Sequence, residues 1–284
     1  MNQEEQSYLQ LLKEIIDTNQ YKGDRTGIGT YSMFGSKLKF SLRNNTIPLL
    51  TTKKVFFKGV VEELLFFLRG DTDTKKLEEK GVNIWKGNTS RDFLDKHGLK
   101  SLPEGDMGLG YGFQWRDFGT SDGQGTDQIA DVIDKLKNSP NDRRILFSAW
   151  NPSALHLMAL PPCHILAQFY VYDNKLSCQF YMRSVDTFLG LPFNVASYAV
   201  LTHILAKATN LEANELIFVG GDTHIYKNHL EAVDTQLSRQ PYEFPKLNIN
   251  KSISSIQDIE KLEFTDFELK NYKCHPTIKA EMAV

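Results

Sequence analysis

Cys163 is the residue in this sequence best suited to act as a nucleophile. It follows Pro161 and Pro162 and precedes His164 and an apolar, aromatic run. Two prolines fix the backbone just ahead of a strand. A cysteine attacks as its thiolate, which nearby cations favour. The bland fate of a lone cysteine is a small buried hydrophobe. That fate suits Cys178, which shares a strand face with Leu176 and Phe180, while Cys274 fits no chemical pattern. Arg25, Arg143, Arg144 and Arg183 lie in separate segments. An arginine in a loop is usually solvated. Guanidinium groups that converge would instead hold a phosphate dianion through bidentate hydrogen bonds. Spacing alone does not establish that they converge.

Asn194 presents a donor and an acceptor, but it also opens an apolar helical run, where an asparagine commonly caps. His224 and Tyr226 read equally as polar residues at a strand-to-helix turn, with Asp222 as a cap. Glu63 lies in the helical stretch Val60-Val61-Glu62-Glu63-Leu64-Leu65, where a glutamate is usually exposed, as Glu62 is expected to be. Other patterns mislead. Gly119-Thr120-Ser121-Asp122-Gly123 has the letters G-x-S-x-G but sits among loop residues, with no strand before it or helix after it. Gly108-Leu109-Gly110-Tyr111-Gly112 lacks the last glycine of a dinucleotide loop, and His224 and His229 are wrongly spaced for a zincin helix.

These residues need a scaffold. Tyr8, Leu11, Leu12, Ile15 and Ile16 predict an amphipathic first helix. Further helices are expected around Val60 to Leu68, from Ile129 to near Pro140, over 195–208 and over 225–237. Strands are expected over 145–150 and 164–172, then, after a tight turn at Asp173-Asn174, over 176–183, with a short one at 215–219. Residues 71–110 are polar and glycine-rich and read as irregular. Strands and helices intermix without strict βαβ alternation. The expectation is an α+β fold, residues 1–284 as a single domain with a large mixed sheet packed by helices.

The 284 residues carry a formal charge of −2, which gives no support for nucleic-acid binding. Three cysteines, an odd count with no close pair, suit a reducing compartment. Residues 1–6 are polar and acidic, unlike a targeting peptide, and no apolar run approaches the ~20 residues of a membrane span. A cytoplasmic protein with no metal and no membrane partner is expected.

Five segments in order carry a resemblance: Asp24-Arg25-Thr26-Gly27-Ile28-Gly29-Thr30, Asn141-Asp142-Arg143-Arg144, Leu160-Pro161-Pro162-Cys163-His164, Tyr181-Met182-Arg183-Ser184-Val185-Asp186 running on to Pro192-Phe193-Asn194, and Gly220-Gly221-Asp222-Thr223-His224-Ile225-Tyr226. Together they resemble the thymidylate synthase family over nearly the whole chain. The resemblance implies a methyltransferase that converts dUMP to dTMP. Its co-substrate would be 5,10-methylenetetrahydrofolate, as carbon donor and reductant, released as dihydrofolate.

It also implies roles. Cys163 adds to C6 of uracil and so activates C5. Arg25, Arg183 and Ser184 hold the phosphate with Arg143 and Arg144 of a partner, in a homodimer. Asn194 reads the N3–H and O4 edge of the base. His224 and Tyr226 hold the ribose hydroxyl. Glu63 is the general acid/base, and Tyr111 assists loss of the C5 proton. His164 is structural. Asp186 meets the pterin, with Ile84, Trp85, Leu189, Phe193, Ala283 and Val284 around it, and Lys53 meets the glutamate tail.

The sequence departs from the family in two places. Met182 stands where glutamine is usual, on the face opposite Arg183, and is expected to change packing alone. Leu109 and Gly110 stand where proline and valine are usual, and are expected to loosen the loop before Tyr111. The 90–105 stretch has no assigned chemistry. The nearest competing reading is a pyrimidine hydroxymethylase, in which water captures the C5 methylene. Asn194 and Trp85 argue against it. A nucleotide- or RNA-binding protein without catalysis is the other, and the complete set of catalytic residues argues against that.

Overall fold

A computed structural model describes residues 2–24, 26–119 and 125–281. Arg25, residues 120–123 of the G-x-S-x-G run, Ala283 and Val284 lie outside the described residues. The first helix, α1 (Gln3–Asp17), forms where the apolar spacing predicts it, and Tyr8, Leu11, Leu12 and Ile15 are buried. Asn2 caps it by accepting from the Glu5 N–H.

Among the described residues, six strands form one mixed sheet in the order β1-β2-β6-β5-β4-β3. They are β1 (Tyr21–Lys22), β2 (Thr30–Ser41), β3 (Leu146–Ser148), β4 (His164–Tyr172), β5 (Lys175–Asp186) and β6 (Glu212–Tyr226). β4 and β5 form a hairpin through Asp173 and Asn174, both at positive φ, the backbone that a two-residue turn requires. β5 and β6 run parallel, so both end at the same pole. A parallel pair needs a crossover, supplied by α7 (Gly190–Ala208). A small second sheet pairs β7 (Lys246–Ile249) with β8 (Phe267–Lys270).

Alternation gives the large sheet two unlike faces. Phe40, Leu38, Phe218, Leu216, Phe180, Cys178 and Phe169 are buried under the helices. Met182 joins them at 3 % exposure, so it packs in the core on the face opposite Arg183. The outer face carries Gln168, Gln179 and Tyr181, with Tyr170 and Tyr172 well exposed. Phe34, beside Gly35, is 86 % exposed.

α7 and α2 (Phe57–Leu68) are buried nearly all round and pack on each other. Such helices belong to a core interior. The remaining helices are α3 (Lys75–Glu78), α4 (Arg91–Lys96), α5 (Tyr111–Arg116), α6 (Gln128–Asn138), α8 (Leu230–Leu237) and α9 (Ile256–Glu260).

Four expectations need correction. Residues 71–110 are not irregular throughout, because α3 and α4 bury Leu77 and Leu94. α7 begins at Gly190, so Asn194 lies inside the helix and does not cap it. β6 runs on through Tyr226, so Asp222, His224 and Tyr226 sit in a strand, and α8 starts only at Leu230. Glu62 is 5 % exposed and paired with Lys80, since both glutamates share the buried α2.

Candidate active site

Cys163, Arg183, Ser184, Asp186 and His224 gather at the pole where β5 and β6 end and β4 begins. Cys163 stands one residue before β4. The register pairs His164 with Met182, Ser184 with Asp222, and Asp186 with His224. Arg183 grips the turn that carries Cys163. Its backbone N–H donates to the Cys163 carbonyl at 2.9 Å. Its Nε donates to the Pro162 carbonyl at 2.7 Å and one Nη to the Pro161 carbonyl at 3.0 Å. The guanidinium lies 5.5 Å from the Trp150 ring, within cation–π range. Gly221 makes room for this, because a Cβ there would come within 3.0 Å of the Arg183 carbonyl oxygen.

Tyr111 opens α5 and is buried beside Cys163. The Cys163 N–H donates to its hydroxyl at 2.7 Å. Burial, and then the neighbouring Cys163, hold the phenol well above its ordinary pKa. Tyr111 is thus a neutral hydroxyl with its own proton to give. The ring stacks on His164 at 4.0 Å and 6°. His164 Nδ1 lies 2.8 Å from the Tyr198 hydroxyl, and burial pushes its pKa down to about 3. A ring so reluctant to take a proton is a platform, not a base for Cys163.

The loop before Tyr111 is tied down. Leu109 N–H donates to the Leu157 carbonyl at 3.1 Å, and Ala159 N–H to the Met107 carbonyl at 3.0 Å. Gly108 adopts φ +68°, where a Cβ would fall 2.0 Å from the Leu157 oxygen. Only glycine fits there.

Glu63 accepts from the Trp85 indole Nε1 at 2.7 Å. Burial raises its carboxyl to about 7, against a smaller lowering by the indole N–H. A carboxyl poised near neutrality can both give and take a proton. Lys53 is turned inward, with 6 % exposure. Its Nζ donates to the Phe188 carbonyl and lies 3.5 Å from the Phe188 ring centroid. Burial lowers its pKa to about 7 although Asp186 favours the cation. The turn before it is held by buried Glu5, which accepts from Thr51 and Thr52 N–H at 2.8 and 2.7 Å.

Asp186 accepts from the Phe188 and Leu189 N–H groups and so shapes the entry into α7. Asn194 is in the second turn of that helix, its Oδ1 facing Gly190 on Asp186's side. Ile84, Trp85, Leu189 and Phe193 are half-buried against the core. His224 Nδ1 lies 3.2 Å from Asp222 Oδ1, and its ring is 5.2 Å from that of Tyr226. The segment flanking Arg25 is folded around Asp24, whose carboxylate accepts from Thr26 and Gly29. Gly29 in turn receives the Lys227 N–H at 3.0 Å, which ties this loop beside Tyr226.

Arg143 and Arg144 are not brought to Cys163. They are exposed and lie just before β3, beside the middle of β4, where Gln168 donates to the Arg143 carbonyl and Phe169 N–H to the Ile145 carbonyl. Phe169 is six positions along the chain from Cys163, roughly 20 Å of strand. Trp150 is a contact that the sequence reading missed. Its only signal in the sequence is a tryptophan closing the apolar run 145–150.

A sequence model of the family described as thymidylate synthase matches residues 6–284. The chain belongs to the thymidylate synthase family. It is 51% identical to thymidylate synthase of Saccharomyces cerevisiae, covering 100% of this chain and 98% of that one. Thymidylate synthase of Ascaris suum is 52% identical, with 100% and 98% covered. Bifunctional dihydrofolate reductase-thymidylate synthase of Leishmania amazonensis is also 52% identical, but the chain spans just over half of it, 56%. A thymidylate synthase fold accounts for the mixed sheet packed by helices. Among the described residues, no group of three His, Cys, Asp or Glu side chains could hold a metal ion. Nor is any helix long and apolar enough to cross a membrane.

Proposed function

We propose that this chain is a thymidylate synthase that methylates dUMP to dTMP. The observation that carries this reading is the joining of Cys163, Arg183 and Tyr111 by short hydrogen bonds at a pole that also holds Asp186 and His224. Cys163 forms a bond to C6 of the base, and the electron pair moves toward O4. Glu63, near neutrality, supplies the proton that O4 requires and organises water there. Tyr111 assists the departure of the C5 proton. Arg183, Arg25 and Ser184 take the phosphate. Asn194 reads the base edge, and His224 and Tyr226 take the ribose hydroxyl.

The half-buried Ile84, Trp85, Leu189 and Phe193, with Asp186 beside the last two, suit a planar heterocycle with a polar edge. 5,10-Methylenetetrahydrofolate would supply the carbon and the hydride there, and Ala283 and Val284 would complete the pocket. Lys53 would turn outward to meet its glutamate. The protein works in the cytoplasm.

The working unit is a homodimer. Arg143 and Arg144 lie too far along β4 to share a phosphate with Arg183 of the same chain, so they serve the partner's site. The outer sheet face supports this, with exposed Phe34, Tyr170 and Tyr172. A groove of about 710 Å³ lined by Arg143, Gln168, Tyr170 and Gln179 lies on the same face.

Incubation with 5-fluoro-dUMP and methylenetetrahydrofolate, followed by intact mass, tests the reading. Fluorine blocks loss of the C5 substituent, so a covalent ternary adduct is expected on wild type and none on Cys163→Ser. No adduct on wild type overturns the mechanism. Dihydrofolate absorbance during turnover separates a synthase from a hydroxymethylase.

A further inference from the structure

His229 is fully buried, at 0 % exposure, yet takes no part in the proposed chemistry. It ends the 3-10 turn Lys227–His229 that follows Tyr226. Its Nε2 lies 2.7 Å from the Glu281 carbonyl oxygen. A carbonyl only accepts, so Nε2 carries the hydrogen and donates. Nδ1 is sealed from solvent and has no partner among the described residues. Among those residues the bond to Glu281 is therefore the ring's whole polar role. Otherwise the ring packs against Phe188 at 5.5 Å and Tyr226 at 5.6 Å.

Glu281 belongs to a tail that is strapped to the body at several points. His275 N–H donates to the Thr51 carbonyl at 2.7 Å. Arg239 donates to the Pro276 and Thr52 carbonyls, both at 2.7 Å. These bonds tie the tail to the turn that carries Lys53. The next tether along it is His229 to Glu281. Phe188 stands between the two tethered regions. Lys53 covers its ring and holds its carbonyl, and the His229 ring packs beside it.

We infer that His229 is a positioning residue for the folate side of the site. Its one hydrogen bond to Glu281 sets where the tail lies against Phe188, and so against Asp186 and Leu189 on either side. The inference rests on the proposed thymidylate synthase reaction. It separates the two substrates. A phenyl ring at 229 keeps the packing on Tyr226, hence the dUMP side, and removes only the tether.

The test compares wild type, His229→Phe and His229→Gln as full-length chains. His229→Phe should fold, bind dUMP with an unchanged Kd by calorimetry, and show a KM for methylenetetrahydrofolate raised about tenfold, the worth of one hydrogen bond. Its ternary complex with 5-fluoro-dUMP should dissociate faster by a similar factor. His229→Gln returns an N–H donor and should recover most of the loss. If His229→Phe does not fold, His229→Gln against His229→Met makes the same comparison, a donor against none. Wild-type folate KM in the donor-free variant, equal losses for both substrates, or no rescue by glutamine would each overturn the inference. A wild type that makes no dTMP overturns the proposed reaction as well, whereas an active wild type with an unaffected variant overturns the inference alone.

Discussion

The Cys163 backbone N–H donates to the Tyr111 hydroxyl at 2.7 Å. The phenol thus does two jobs. It satisfies a backbone donor at the nucleophile, and its raised pKa keeps it a neutral hydroxyl that still carries a proton. Tyr111→Phe removes the hydroxyl that accepts from the Cys163 N–H while the ring still stacks on His164. A stability loss of about 1–3 kcal/mol is expected, with kcat/KM for dUMP down about 10²-fold or more. Urea unfolding and steady-state kinetics check both. A variant with wild-type rate removes Tyr111 from the mechanism.

Glu63 makes stability and activity depend on pH. An unfolded glutamate loses its proton near 4.5, whereas Glu63 in the fold keeps it to about 7. Between those values the unfolded chain binds fewer protons, so this group's contribution to stability falls as pH rises from about 4.5 to about 7. Glu63→Gln removes that slope. It is expected to be more stable than wild type at pH 8, by on the order of 2–3 kcal/mol, and nearly inactive. Trp85→Phe removes the N–H that lowers the Glu63 pKa, so the matching limb of the pH–rate profile should move to higher pH. An unmoved limb refutes the pairing.

Arg183 holds two carbonyls and, in the proposed reaction, a phosphate as well. Lysine keeps the charge but not the fork. Arg183→Lys should weaken dUMP binding by about ten- to a hundredfold, the worth of one or two charge-assisted hydrogen bonds. Unchanged Kd in calorimetry would count against the phosphate role.

Met182 fills the core at 3 % exposure. Met182→Gln, which restores the usual family residue, places an amide there without its partners. A loss of about 1–3 kcal/mol is expected, with dUMP Kd unchanged. Thermal and calorimetric measurements on one preparation decide it. An altered Kd would mean that this position reaches the phosphate side.

Much of the fold was legible because periodicity is local. α1, α6 and the β4–β5 hairpin follow from spacing and from the Asp173-Asn174 turn. The errors came where neighbours overrode local preference. β6 extends across Gly220 and Gly221 because β2 and β5 supply partners on both sides. Asn194 looked like a cap because nothing local announced that Leu189 to Phe193 continues the chain into α7.

By itself the sequence determined which groups are available: Cys163 behind two prolines, the arginines, and Glu63 on a helix. Those are properties of residue type and local order. Only the tertiary structure decided what each group is. Burial of α2 on both sides turned Glu63 into a carboxyl near neutrality. Stacking and enclosure turned His164 into a neutral platform. Strand length placed Arg143 and Arg144 far from the Cys163 that Arg183 embraces. A pKa and a separation depend on everything packed around a residue, and spacing along the chain carries neither.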